Sequence, residues 1–124
     1  MEIGEKILNL TQHSPTPEQT QAGVIDCDDT EEMRRLLTFP ELPTGKEVGN
    51  RAKTLADLAR KNVPLGTKVM LGGVPFLMGS LEMELRLHGL RPVYAFSARE
   101  SEEKMEGGKV IKTQVFKHLG FVEV

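Results

Sequence analysis

Lys68-Val69-Met70-Leu71-Gly72-Gly73-Val74-Pro75 is the stretch on which the fold turns. Val69, Met70 and Leu71 read as a short buried strand. Two glycines follow, and then apolar residues recur at helical spacing: Val74, Leu77, Met78, Leu81 and Leu85, as far as His88. Gly89 is the natural stop. A strand that turns sharply into a helix is the building unit of a parallel sheet. The turn offers no capping side chain, so the backbone N–H groups at the helix start are left unpaired and partially positive. Glycine permits both the sharp turn and close approach of a ligand. The junction is therefore a candidate phosphate or carboxylate site. A packing turn capped by water accounts for the same letters, because Gly-Gly alone is not a dinucleotide fingerprint.

Other helix starts contrast with it. Thr16-Pro17-Glu18-Gln19 is a capping box with proline at the favoured first position. Asp29-Thr30-Glu31-Glu32 offers a cap and an acidic first turn, and Thr44-Gly45-Lys46-Glu47 repeats the capping-box spacing.

Working outward, Lys6 to Leu10 reads as a first strand, followed by the polar loop Thr11-Gln12-His13-Ser14-Pro15. A short helix from Pro17 ends near Gly23, and Val24-Ile25 is a second strand candidate. Helices are expected from Glu31 to Leu37 and from Gly45 to Asn62, with two prolines keeping Phe39 to Pro43 irregular. Val93 to Ser97 reads as a strand. Arg99 to Lys109 reads as a charged, flexible segment turning at Gly107-Gly108. Val110 to Phe116 is the return of a hairpin, and Phe121 to Val124 a short edge strand. The expected fold is α/β, a single Rossmann-like domain over residues 1–124, with a mostly parallel sheet flanked by helices and a C-terminal β-hairpin.

The chain has 124 residues, 16 basic against 18 acidic, and a formal charge of −2. That balance argues against a general binder of double-stranded DNA. No apolar run reaches membrane-spanning length, so no membrane partner is expected. One cysteine, Cys27, excludes an internal disulfide, and with no signal-peptide pattern a cytoplasmic location is expected.

In sheets of this class ligands bind beyond the carboxyl ends of the strands. Three segments are expected to meet there: Asn9 to Thr16, the Gly72-Gly73 turn, and the residues after Val93–Ser97. His13 is the side chain there that titrates near neutral pH. Asn9, Thr11, Gln12 and Ser14 offer donors to phosphate oxygens or base edges; a loop that satisfies its own backbone is the alternative. Arg99 could clamp a phosphate or be one more solvated charge. His118 lies near the hairpin return, and His88 at a helix C-terminus suits a structural role. The acidic run Asp26 to Glu32 reads as a solvated helix start, and no metal or cofactor is expected.

Three segments carry a resemblance. Residues 7–19 (ILNLTQHSPTPEQ), 89–100 (GLRPVYAFSARE) and 115–123 (VFKHLGFVE) resemble, in order and spacing, small CRISPR-accessory proteins related to the CRISPR-associated Rossmann fold, CARF. The resemblance implies a homodimer that binds cyclic oligoadenylate, which several members cleave as metal-independent ring nucleases. It places His13 and His118 as proton-transfer residues. Asn9, Thr11, Gln12, Ser14, Gly72, Gly73, Ser97 and Arg99 fall on the ligand side. The function it implies is removal of the signal by cleavage or sequestration, in antiviral defence or counter-defence. A sponge for another nucleotide, such as a cyclic dinucleotide or cyclic ADP-ribose, or a structural interaction module, are the other readings.

Overall fold

A computed structural model of the chain describes residues 5–124. Its elements in chain order are β1 (Ile7–Leu10), α1 (Pro17–Gln21), β2 (Val24–Asp26), α2 (Thr30–Leu37), α3 (Gly45–Asn62), β3 (Lys68–Leu71), α4 (Pro75–Leu87), β4 (Arg91–Glu106) and β5 (Lys109–Glu123). The five strands form one sheet in the order β2-β1-β3-β4-β5. The first three pairings are parallel and β4–β5 is antiparallel. The protein is thus α/β, with a mostly parallel sheet, flanking helices and a C-terminal hairpin.

All four residues of β1 are buried, as an interior strand of a parallel sheet requires. Leu8 and Leu10 join Val69 and Leu71 on one face, where they meet Leu55 and Ala59 of α3 and Leu77 and Leu81 of α4. Ala52, Ala56 and Ala59 of α3 are fully buried. Each leucine so buried contributes about 1.5–3 kcal/mol relative to leaving it in water. The other face carries a smaller cluster, Ile7, Val24, Met70 and Val93, against which Phe121 packs. The His118 ring stands edge-on to Phe121 at 4.9 Å, and the His118 N–H donates to Glu18 Oε2 of α1 at 3.1 Å. Those contacts place α1 on this second face, where right-handed connections also put it.

Local signals explain the helix ends. Thr16 and Gln19 form the capping box of α1, and the Thr44 hydroxyl accepts from Glu47 N at 3.1 Å. The expected cap at α2 is corrected: Asp29 makes no side-chain bond there, and the Thr30 hydroxyl instead donates to the Cys27 carbonyl at 2.6 Å. Glu47 likewise does not close a capping box, because Oε1 accepts from Arg51 at 3.1 Å. Gly89, at φ +75°, ends α4 as expected.

The hairpin is the largest departure from the sequence expectation. The segment from Arg99 onward is not a flexible loop; β4 runs unbroken from Arg91 to Glu106. The two strands expected at Val110–Phe116 and Phe121–Val124 are one, β5, which ends at Glu123. Gly107 and Gly108 both have positive φ, 56° and 77°, as a two-residue hairpin turn demands. Strand β3 pairs β4 from Arg91 to Tyr94, so among the described residues the rest of β4 pairs with β5 alone. No helix among the described residues is long and apolar enough to cross a membrane.

Candidate functional site

The chain leaves β1 toward β2 on one side, then passes back across to β3 on the other. Connections from the carboxyl ends of β1 and β3 therefore diverge to opposite faces, and a crevice opens between them. A cleft of about 390 Å³ occupies that place. Its walls are the loop after β1, the turn after β3, and Tyr94 and Ala95 of β4, closed by Thr16 and Gln19 from the start of α1.

The β1 loop is shaped from below by Asn9, which is almost wholly buried. Its amide nitrogen donates to the His13 carbonyl at 2.8 Å and to Asp26 Oδ1 at 3.2 Å. Its oxygen accepts from the Thr11 N–H at 3.1 Å and the Thr11 hydroxyl at 2.7 Å. Both donors and the acceptor of one buried amide are thus satisfied, one donor by Asp26 of β2 and the rest by the loop, as burial requires. Gln12 is spent as well, donating to the Thr38 hydroxyl at 2.8 Å. The consequence is a fixed loop that presents the exposed His13 and Ser14 side chains, neither hydrogen-bonded among the described residues.

The turn after β3 comes close to that loop. A Cβ added at Gly72 would lie 3.4 Å from Thr11 Cγ2, and one added at Gly73, whose φ is +154°, 3.4 Å from Met78 Cε. Helix α4 begins at Val74 without a side-chain cap and without an acidic residue in its first turn. Pro75 has no N–H, and Leu77 N–H turns back to the Val74 carbonyl at 3.1 Å. Among the described residues the unbonded donors at this helix start are therefore the Gly73, Val74 and Phe76 amides, fewer than an uncapped helix without proline would offer.

Tyr94 supplies the apolar wall. Its hydroxyl donates to Glu82 Oε2 of α4 at 2.6 Å. Burial, and then the carboxylate that accepts its hydrogen bond, push the phenol well above its ordinary range. The phenol stays protonated and the ring is held in place, with Tyr94 among the residues that line the cleft. Gln19 spends its oxygen on the Thr16 N–H at 3.1 Å, which leaves its amide donors free. The lining contains no lysine and no arginine, so the cleft offers neutral donors, an aromatic face and one imidazole.

A model of the Uncharacterized protein MJ1673 family matches residues 5–122. The chain belongs to the MJ1673 family. No curated protein and no solved structure matches it. The matched span takes in every wall of the cleft and nearly all of the hairpin. Within the MJ1673 match, the structure brings together Thr11, Gln12, His13, Ser14, Gly72 and Gly73. Asn9 lies beneath them as the loop's internal brace.

Ser97, Arg99 and His118 do not line the cleft. Strand β4 continues past it, so Ser97 and Arg99 ride outward on the hairpin, and the Arg99 guanidinium sits 5.2 Å from the centre of the Phe116 ring. His118 packs on Phe121, and its Nδ1 is buried without a hydrogen-bond partner among the described residues. Sequence reasoning missed Tyr94, Thr16 and Gln19 as wall residues. The signal for Tyr94 was present: the one tyrosine of the chain stands where a strand of the sheet ends its pairing with β3. His88 lies away from the cleft, bridging Asp57 of α3 and the Glu84 carbonyl of α4, each at 2.6 Å. Among the described residues no group of three His, Cys, Asp or Glu is placed to hold a metal ion. Cys27 is buried, and desolvation raises its thiol pKa, the reverse of an activated nucleophile.

Proposed function

We propose that this chain is a Rossmann-like nucleotide-binding protein whose ligand enters the crevice between the β1 loop and the Gly72-Gly73 turn. A phosphate meets the Gly73 amide, Ser14 and His13, and a base lies against the Tyr94 ring. The observation that carries this reading is the position of the cleft. It stands where the strand order reverses, beside a helix start that no side chain caps.

Within that class, the resemblance of residues 7–19, 89–100 and 115–123 to the CARF-related accessory proteins singles out cyclic oligoadenylate. The role that follows is removal of a signal in antiviral defence or counter-defence. Cleavage without a metal would proceed by attack of a ribose 2′-hydroxyl on the adjacent phosphate. The 2′,3′-cyclic phosphate forms as the P–O5′ bond breaks and the 5′-oxygen takes a proton. His13 supplies the imidazole in the lining, and it would carry the proton transfer. The absence of lysine and arginine from the lining removes the usual means of neutralising a phosphorane-like charge. That favours sequestration over fast cleavage.

The two are separated by incubating the protein with cyclic tetraadenylate in chelator and analysing the nucleotide after denaturing the protein. Sequestration returns the ring intact from a complex that survives gel filtration. Linear products, lost in His13→Ala, establish cleavage. Passage of the ligand through the column unbound, and unchanged, refutes both.

A further inference from the structure

Beyond the Ser97–His118 rung, where the His118 N–H meets Glu18 of α1, no third strand pairs with the β4–β5 hairpin among the described residues. Two-stranded ribbons are at best marginally stable in water, and a free strand edge invites pairing. This one nevertheless carries large apolar side chains in the open: Phe116 is 67% exposed, Met105 74% and Val110 58%. All three stand on the same face. Directly paired residues share a face and alternate pairs return to it. One face therefore carries the rungs Arg99–Phe116, Ser101–Gln114, Glu103–Lys112 and Met105–Val110. The opposite face is the more charged one, with Glu100, Glu102, Lys104, Glu106 and Lys109; its apolar members are Val115 and Ile111, of which Ile111 is 41% exposed.

Three of the four rungs on this face join unlike partners that suit one another, and the fourth, Ser101–Gln114, is neutral and polar. Arg99 lies over the Phe116 ring, Glu103 is 3.9 Å from Lys112, and Met105 meets Val110. A twofold axis running along the ribbon lays each β4 residue over the β5 member of its own rung in a second copy. Glutamate then meets lysine, methionine meets valine, and guanidinium meets ring. The face is complementary to itself, which is the requirement of an isologous interface. We propose that the β4–β5 arm is a dimerisation element, and that the occupant of its apolar face is the same face of a second copy of this chain. The proposal stands independently of what fills the cleft.

The test is sedimentation of the full chain over a range of concentrations, with three single variants on the exposed arm. Thermal unfolding of each variant checks that the body of the protein is intact. The wild-type chain is expected as a dimer. Phe116→Ser is expected to raise the dimer dissociation constant at least tenfold. Glu103→Lys and Lys112→Glu each set like charges against one another across the interface and dissociate in the same way. Their equimolar mixture restores both ion pairs and is expected to sediment again as a dimer. A monomeric wild-type chain, a dimer indifferent to all three variants, or a mixture that stays monomeric overturns the proposal.

Discussion

Asn9 and Asp26 meet across the β1–β2 pair, the Asn9 amide donating to Asp26 Oδ1 at 3.2 Å while its second N–H holds the His13 carbonyl at 2.8 Å. One buried side chain thus ties the sheet to the loop that carries His13. Register places the two residues opposite one another in parallel strands, so the contact is built into the sheet.

Substituting Asn9 therefore costs both stability and site geometry. Asn9→Ala leaves the Thr11 N–H without its partner and takes from the His13 carbonyl one of its two donors, the other being the Thr11 hydroxyl at 3.1 Å, and is expected to cost about 1–3 kcal/mol in urea unfolding. Asn9→Asp sets two carboxylates together, which raises the pKa of one of them in the folded state. A raised folded-state value means stability is held at low pH and lost as pH rises. Asn9→Asp is expected to be closer to wild type at pH 5 than at pH 7.5. Equal deficits at both would show that the two groups do not interact.

Gly23 is the position of least tolerance before β2. Its φ is +107°, and an added Cβ would lie 2.3 Å from the Glu5 carbonyl oxygen. Gly23→Ala is expected to cost about 2–3 kcal/mol by thermal unfolding, from strain and backbone overlap together. Gly49→Ala, in α3 with open space around it, is expected to be stabilising by about 0.5–1 kcal/mol.

His88 fastens α4 to α3. Both ring nitrogens face acceptors, the Glu84 carbonyl and Asp57. The Asp57 hydrogen bond, with help from the Glu84 carbonyl, raises its pKa above the ordinary histidine value despite partial desolvation. Because the folded value is raised, this stabilisation is full below the unfolded value of about 6.5 and fades as pH rises through the folded one. The bridge is partly solvated, so its worth is on the order of 1 kcal/mol. His88→Gln is expected to lose that increment at pH 6 and little at pH 9. A pH-independent difference would contradict the charged bridge.

Most of the sheet was legible because buried elements leave a period in the sequence. Leu77, Met78, Leu81 and Leu85 announce α4, and the apolar run Val69–Leu71 announces β3, since each packs on a core. The arm was misread for the same reason in reverse. From Arg99 to Glu106 no face of β4 is buried, so nothing imposes the alternation that marks a strand. The turn glycines alone survive as a signal there. That error displaced Ser97 and Arg99, which follow the strand out along the arm and away from the cleft. Asn9 was legible as polar but not as buried, because its partners Thr11, His13 and Asp26 are assembled only by folding.

Tyr94 separates its two roles by substitution. Tyr94→Phe removes the bond to Glu82 and is expected to cost about 1 kcal/mol of stability while retaining ligand binding through the ring. Tyr94→Ala removes the cleft wall and is expected to weaken binding at least tenfold. Equal binding by Tyr94→Ala and Tyr94→Phe would remove the ring from the site.

The most direct measurement is calorimetric titration of the wild-type chain and of Gly72→Val with cyclic tetraadenylate, under chelator. The valine side chain would fill the space between the turn and Thr11, where even a Cβ comes within 3.4 Å. Saturable binding to the wild-type chain, weakened at least tenfold in a folded Gly72→Val, is the expected result. No binding by the wild-type chain, or equal affinity in the two proteins, would contradict a nucleotide site in this crevice.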